Sequence, residues 1–183
     1  LVNEVVTPEI LEGMHGDIAC DIPVIPLQEA APDEWTALVL NYIKGTLAVA
    51  HNGNLINAPQ LRHELEYSGA IFQTTIDSEV IADYIARERV NAKSAEEAVA
   101  RAMDKIQGAY SLVVMSPRKL IGARDPYGFR PLCIGKRDNT YILASETCAL
   151  HTIGAEFVRD VEPGEIVSIS PKTGIVSDKS RCL

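Results

Sequence analysis

The residues of this chain best suited to chemistry are Asn52 and Gly53, which follow an apolar run at residues 46–50. The run predicts a strand, and at its end a side-chain amide and an unhindered backbone N–H would stand side by side. Two such donors aimed at one point stabilise the oxyanion that develops in acyl transfer. The dipeptide therefore predicts an oxyanion site.

A hairpin turn is the simpler interpretation of the same dipeptide, because Asn-Gly between apolar runs is a strong turn signal. The residues that follow, Asn57-Ala58-Pro59-Gln60-Leu61, begin a helix and not a return strand. On the dipeptide alone, the turn and the oxyanion site stay equally open.

A second candidate is Asp77, which lies 25 residues after Asn52 and precedes apolar residues at helical spacing between positions 80 and 85. A carboxylate there can bind the ammonium group of a small substrate, or it can cap the helix as its N-cap residue. Because aspartate is common at N-caps, the local pattern alone favours capping.

The elements that position these residues follow from the spacing of apolar residues. Helices are predicted from Asn57 to Gly69, from Asp77 through Arg89, and from Ser94 to Gly108. Beyond them, short β-branched runs separated by turn residues predict strands at residues 110–115, 120–123, 132–134, 141–144, 157–161 and 165–169. Helices beside antiparallel strands, without βαβ alternation, predict one α+β domain.

Composition limits the classes of partner. The 183 residues carry a formal net charge of -8 without a cluster of Lys or Arg, which argues against nucleic acid and anionic membranes as partners. The sequence contains no apolar run long enough to span a membrane. Its four cysteines lack C-x-x-C spacing and indicate neither a zinc site nor a disulfide framework. We expect a cytoplasmic protein with a small-molecule partner.

The chain begins Leu1-Val2-Asn3, without a methionine and without a charged-then-apolar leader. We therefore expect a piece of a longer protein that carries no secretory signal.

Several segments together resemble the glutaminase domain of the amidophosphoribosyltransferase family, which opens purine biosynthesis. The resembling segments are residues 1–5, 38–57, 71–80, 107–111, 125–132, 144–149 and 161–165. Other class II amidotransferases, such as the glucosamine-6-phosphate-forming enzyme, share the His-Asn-Gly and Asp-Ser-Glu elements and stay as the alternative family. The segment Asp-Pro-Tyr-Gly-Phe-Arg-Pro-Leu at residues 125–132 favours the purine enzyme.

The resemblance implies the N-terminal-nucleophile hydrolase fold, a four-layer αββα arrangement of two stacked antiparallel sheets between helical layers, truncated here at the amino end. In the family, a cysteine at the mature amino terminus attacks the glutamine amide, and its own α-amine serves as general base. Asn52 and Gly53 would then hold the oxyanion, and Asp77 would bind the α-ammonium group of glutamine. With this context we expect ammonium binding by Asp77 rather than capping alone.

Partners and cofactors follow from the same resemblance. Ammonia from glutamine would pass to phosphoribosyl diphosphate on a second domain that is absent from this chain, and the full-length enzyme would be a homo-oligomer. The family enzyme uses magnesium, and some members carry a 4Fe-4S cluster, but we expect no metal or other cofactor within this chain. His51 is expected to be a packed or hydrogen-bonded strand residue, and Cys133 and Cys148 to be buried in strands.

Two departures from the family pattern bear on activity. The nucleophilic cysteine would lie upstream of Leu1, so we expect the chain as given to be inactive toward glutamine. The family segment Arg-Tyr-Ser-Thr-Thr-Gly, whose arginine holds the glutamine α-carboxylate, is missing near Pro23. A catalytically dead fragment, which keeps the fold or binds an amino acid weakly, therefore stays open beside the glutaminase domain.

A frameshift would explain the missing segment. One set of codons for residues 23–33, read two bases later, gives Arg-Tyr-Ser-Thr-Thr-Gly-Ser-Ser-Ser-Arg, and codons for residues 34–37, read one base later, give Asn-Gly-Gln-Pro. Both match the family, so we predict an out-of-frame stretch from about residue 20 to 37, restored at Leu38. Because Pro23, Pro26 and Pro32 cannot donate to a sheet, we also predict irregular structure there.

Overall fold

A computed structural model of the chain describes residues 37–183. Helices and strands are numbered here in chain order. The strands are β1 Ala37–Tyr42, β2 Gly45–Leu55, β3 Gly108–Ser116, β4 Lys119–Arg124, β5 Cys133–Arg137, β6 Thr140–Ala144, β7 Glu156–Asp160, β8 Ile166–Ser170 and β9 Gly174–Asp178. The helices are α1 Ala58–Tyr67, α2 Asp77–Asn91, α3 Ala95–Met103 and α4 Thr147–Thr152. None of these helices is long and apolar enough to cross a membrane.

The strands form two antiparallel sheets. The larger sheet has the order β1-β2-β3-β4-β8-β9, and the smaller has the order β6-β5-β7. Strand β3 forms a longer ladder with β2 than with β4. In the β2–β3 ladder, Ala48 lies opposite Met115 at one end and Leu55 lies opposite Gly108 at the other. The predicted frame-shifted and irregular stretch lies outside the described residues, except for its last residue, Ala37.

Helices α1, α2 and α3 cover one face of the larger sheet. Alternate residues of β2 point toward them, and Leu47, Val49 and Leu55 are at most 4% exposed in the resulting core. Val80 and Ile81 of α2 belong to the same apolar cluster. The helical layer therefore rests directly on the strand that carries Asn52-Gly53.

The smaller sheet covers part of the opposite face of the larger one. An apolar cluster of Leu132, Ile134, Val161 and Val167 fills the space between the sheets. Helix α4 closes the outer side of the smaller sheet, where its Leu150 packs so closely on Gly135 that a Cβ there would lie 2.5 Å from Leu150 Cδ2. Helices, sheet, sheet and helix give the four-layer α+β arrangement that the resemblance implied, and the predicted fold is confirmed.

The predicted helices correspond to α1, α2 and α3, and the hydroxyl of Ser94 accepts the N–H of Glu97 at 3.1 Å, as a capping serine should. Strands β1 and β9 and the six-residue helix α4 were not predicted. The expectation for Cys148 was wrong, because this residue is exposed on α4, whereas Cys133 is buried on β5 as expected. Helix α4 was not predicted because its six residues are too few to show a periodic apolar stripe.

Candidate functional site

Asn52 and Gly53 lie within β2 and not at its end. The ladder to β3 continues through both residues, with Asn52 opposite Ser111 and Gly53 opposite Tyr110, and the strand ends at Leu55 before the chain enters α1. The hairpin interpretation is therefore wrong, and so is the prediction that the strand stops at the dipeptide. Pairing with β3, which is distant in sequence, extends the strand beyond its apolar run.

Glycine is required at position 53 by the close approach of β3. The φ angle of Gly53 is +147°, and a Cβ built on it would lie 2.0 Å from the carbonyl oxygen of Ala109 and 2.9 Å from Tyr110 Cα. At this φ, the Cβ of an alanine at position 53 would occupy the place between the two strands where the Hα of an extended residue normally lies. A side chain at this point would push β2 and β3 apart.

The second half of β2 has an open edge. Strand β1 pairs only with residues 45–50, so residues 51–55 have no strand on that side among the described residues. The N–H of Leu55 points to this edge, where it donates to Asp77 Oδ2 at 2.9 Å. Because N–H groups two residues apart in a ladder point the same way, the N–H of Gly53 faces the same edge, about 6.7 Å along the strand.

The side chain of Asn52 is exposed and projects toward the smaller sheet, since it alternates with the helix-facing His51. Its Nδ2 lies 3.5 Å from the hydroxyl of Ser145, which follows directly after β6. This distance is at the long limit of a hydrogen bond, so the amide keeps donor capacity for another acceptor. The structure thus places Asn52 where the two sheets meet.

Asp77 is the first residue of α2, and the N-cap position belongs to Ile76, which makes no side-chain cap bond. The capping prediction is therefore wrong in its detail. The carboxylate instead reaches β2, with Oδ2 bonded to Leu55 and Oδ1 3.4 Å from Nδ1 of His51. Burial raises the pKa of Asp77, but the contacts with His51 and Leu55 outweigh it and hold the pKa below its ordinary value.

Glu79 fixes the segment that delivers Asp77 to the strand. Its carboxylate accepts the N–H of Gln73 at 2.8 Å, the N–H of Thr74 at 2.8 Å and the hydroxyl of Thr74 at 2.6 Å. The guanidinium of Arg62 holds the same segment through the carbonyl of Thr74 at 2.7 Å. Glu79 is 5% exposed, and its role was not predicted, although a carboxylate on the buried face of an apolar helix was a usable signal.

The segment at residues 125–132 forms a rigid loop. Asp125 is fully buried and accepts the N–H of Tyr127 at 2.9 Å, while the guanidinium of Arg124 donates to the carbonyls of Gly128, Arg130 and Val161. The segment that favoured one family over another is therefore a loop held by hydrogen bonds, and no hydrogen bond or ion pair joins it to Asn52 or Asp77 among the described residues.

Two other features lie apart from these residues. A groove of about 960 Å³ lies between the turns at residues 115–119 and 170–173, at the far end of β2, and neither Asn52 nor Asp77 lines it. Residues 37–183 contain no group of three or more His, Cys, Asp or Glu side chains placed to hold a metal ion.

Comparison with known proteins gives the family. Residues 38–152 match the model of the glutamine amidotransferase domain. The chain is similar to the amidophosphoribosyltransferase of Methanocaldococcus jannaschii, with 42% identity over 92% of this chain and 36% of that protein. It is also similar to chloroplastic amidophosphoribosyltransferase 2 of Arabidopsis thaliana, with 40% identity over all of this chain and 32% of that protein.

A solved structure agrees with both. Glutamine phosphoribosylpyrophosphate amidotransferase from B. subtilis, complexed with ADP and GMP, superposes with a TM-score of 0.72 and 42% identity over 77% of this chain and 30% of that one. The chain thus spans about a third of the length of the relatives it matches. With the fold, the Asn52-Gly53 strand and the family match in agreement, the chain belongs to the glutamine amidotransferase family, as a domain of the type found in amidophosphoribosyltransferases.

Proposed function

We propose that this chain is the glutamine-hydrolysing part of an amidophosphoribosyltransferase, which supplies ammonia to phosphoribosyl diphosphate bound by another domain of the full-length protein. The supporting observation is the edge of β2, along which the N–H of Gly53 and the carboxylate of Asp77 lie on the same side. The N–H of Gly53 lies about 6.7 Å along the strand from that of Leu55, which bonds Asp77, and this spacing suits one extended glutamine with its carboxamide at Gly53 and its α-ammonium group at Asp77.

In the proposed reaction, the α-ammonium group of glutamine binds Asp77, which is anionic at neutral pH and whose pKa its contacts hold below the ordinary value. The carboxamide then lies beside Gly53, and a thiolate from an amino-terminal cysteine attacks its carbon. The N–H of Gly53 and the amide of Asn52 stabilise the oxyanion, each contributing about 3 kcal/mol to transition-state stabilisation. The α-amine of that cysteine, which took the thiol proton, gives it to the leaving nitrogen as the C–N bond breaks, so that ammonia departs and a thioester remains, which water hydrolyses to glutamate and the free thiol.

We also propose that the stretch from about residue 20 to 37 is frame-shifted. The family match begins at residue 38, directly after the stretch predicted to be out of frame, which supports restoration of the frame at that point. The DNA sequence tests the idea independently of any activity. Codons at residues 23–37 that do not permit the shifted readings would reject it.

For the full-length protein, and not for these residues, we also propose a homo-oligomeric state, the use of magnesium and, as in some family members, an iron-sulfur cluster. Cys133, Cys148 and Cys182 are free thiols, which suits a reducing compartment such as the cytoplasm.

The deciding experiment measures ammonia release by the full-length protein in the restored reading frame, from glutamine and from glutaramate, which is glutamine without its α-amine. We expect Asp77→Asn to raise KM for glutamine and to leave KM for glutaramate unchanged, because the substitution removes the charge that only the ammonium group uses. The matched control is Asp83→Asn, one and a half turns further along α2. Absence of ammonia release by the parent protein would reject the glutaminase and favour a catalytically dead domain.

A further inference from the structure

We propose that His51 is a positioning residue for the glutamine site: its imidazole orients the Asp77 carboxylate and thereby sets the affinity for the α-ammonium group of the substrate. The inference rests on the proposed function in one respect, since Asp77 must be the ammonium ligand. His51 is adjacent to Asn52 in sequence but lies on the other face of β2, so it takes no part in holding the oxyanion.

The contacts of the ring support this role. The side chain of His51 is 2% exposed, and Nδ1 lies 3.4 Å from Asp77 Oδ1 and 3.2 Å from the hydroxyl of Ser78. Both partners are in the first turn of α2. The ring thus ties the strand that carries the oxyanion donors to the helix that carries the carboxylate.

The other ring nitrogen decides which tautomer is present. Nε2 of His51 is buried and has no hydrogen-bond partner among the described residues. A proton on Nε2 would leave a buried donor unpaired and would turn the lone pair of Nδ1 toward the anionic Asp77. A proton on Nδ1 lies instead between the hydroxyl of Ser78 at 3.2 Å and the carboxylate of Asp77 at 3.4 Å, so of the two tautomers the one with Nδ1–H is favoured.

With this tautomer, both oxygens of Asp77 have fixed partners. Leu55 donates its N–H to Oδ2 at 2.9 Å, and Nδ1 of His51 lies 3.4 Å from Oδ1. A carboxylate accepts about four hydrogen bonds, so acceptor capacity is left for an ammonium group, and 19% of the side chain is exposed. Without the imidazole, the carboxylate could pivot about its bond to Leu55, and binding would have to supply the cost of ordering it.

The competing explanation is that the buried His51 has only a structural role. Two variants distinguish this role from the positioning role. His51→Leu fills the space without a donor. His51→Asn keeps an amide donor close to the position of Nδ1. If the ring acts through Asp77, the asparagine variant should retain most of the affinity, whereas a role in core packing alone would favour leucine.

The experiment is steady-state glutaminase kinetics on the full-length protein in the restored frame. We expect His51→Leu to raise KM for glutamine about tenfold with little change in kcat and no change in KM for glutaramate, because loss of one charge-assisted contact is of that size. We expect the double variant His51→Leu with Asp77→Asn to have the KM of Asp77→Asn alone, since a positioning residue acts only through the group that it positions. Asp83→Asn, six residues after Asp77 on α2, serves as the control and should leave both KM values unchanged.

Additive effects of the two substitutions, or an equal loss for glutamine and glutaramate, would overturn the proposal. A carbon-13 NMR titration of the Asp77 carboxyl gives a second readout that needs no activity. The coupling predicts that the pKa of Asp77 rises in His51→Leu and returns to the parental value in His51→Asn. An unchanged pKa in His51→Leu would overturn it. A parent protein that is inactive but shows this coupling would reject the proposed function and leave the His51–Asp77 relationship standing.

Discussion

The N–H of Leu55 donates to Oδ2 of Asp77 at 2.9 Å, and this bond joins the open edge of β2 to the first residue of α2. An aspartate at such a position usually serves its own helix, but this one serves a strand that ends 22 residues earlier. The helix N-terminus is thereby held against the strand that carries Asn52 and Gly53. The Asp77 carboxylate therefore stands at the open edge of β2, where the proposed function places the α-ammonium group of glutamine.

Replacement of Asn52 tests the oxyanion assignment. In the full-length protein, Asn52→Ala should lower kcat for glutamine by a factor of about 100 to 1,000, because a preorganised donor is lost from the transition state. KM should change little, since the ground-state carbonyl interacts weakly with the amide. Asn54→Ala is the matched control, two residues further along the same face of β2. Equal losses in both variants would show that Asn52 has no special role.

Replacement of Gly53 tests the close approach of the strands. Gly53→Ala should cost about 3 kcal/mol or more in the free energy of unfolding, since its Cβ would fall 2.0 Å from a backbone oxygen. Gly154→Ala has a positive φ of +68° but nothing within 4 Å of the new Cβ, and should cost about 1 kcal/mol. Urea denaturation measures both. Similar losses would mean that φ alone, and not the β3 backbone, restricts position 53.

Glu79 should matter for order around Asp77 rather than for chemistry. Its carboxylate accepts three hydrogen bonds at residues 73 and 74, and Glu79→Gln replaces one acceptor oxygen with a donor. We expect a loss of about 2 kcal/mol in unfolding free energy and faster amide exchange at residues 73–76. Glu66→Gln, at an exposed position on α1, should change neither quantity. Unchanged exchange in Glu79→Gln would refute the organising role.

Glu165 should make the free energy of unfolding depend on pH in acidic solution. Burial raises the pKa of this carboxyl, but the ion pair with Arg159 at 2.7 Å, the hydroxyl of Ser177 and the N–H of Glu162 lower it to about 2. Because the folded pKa lies below the ordinary value of 4.5, the stabilisation is complete above pH 4.5 and is lost as the pH falls toward 2.

The stabilisation from Glu165 amounts to about 3 kcal/mol at neutral pH. Glu165→Gln should remove it, so that the stability of the variant and the parent converge in acid. Denaturation curves at pH 7 and at pH 3 measure the difference, with exposed Glu156→Gln as the comparison. A difference that stays constant between the two pH values would contradict the assignment.

Much of the architecture was encoded locally. The spacing of apolar residues predicts α1, α2, α3 and most strands from β3 onward, and the segments shared with a known family imply the αββα layering that the structure has. The residue types at Asn52, Gly53 and Asp77 also indicate donors and a carboxylate without any coordinates. Period and residue type are properties of neighbours in sequence, so one sequence is enough to reveal them.

Contacts between distant segments could not be read in the same way. Whether Asn52-Gly53 turns or continues depends on β3, which pairs with it more than fifty residues later in the chain. The short helix α4 has too few residues to show a period, and its place depends on Leu150 packing against Gly135.

The amino-acid sequence by itself thus determined the family, the layered fold and the identities of the donors and the carboxylate. The tertiary structure decided that Asp77 bonds to Leu55 rather than capping its own helix, and that His51 stands behind it on the buried face of β2. The physical reason is that a side chain's partner depends on how α2 packs against β2, and this packing comes from the whole apolar core rather than from the residues around Asp77.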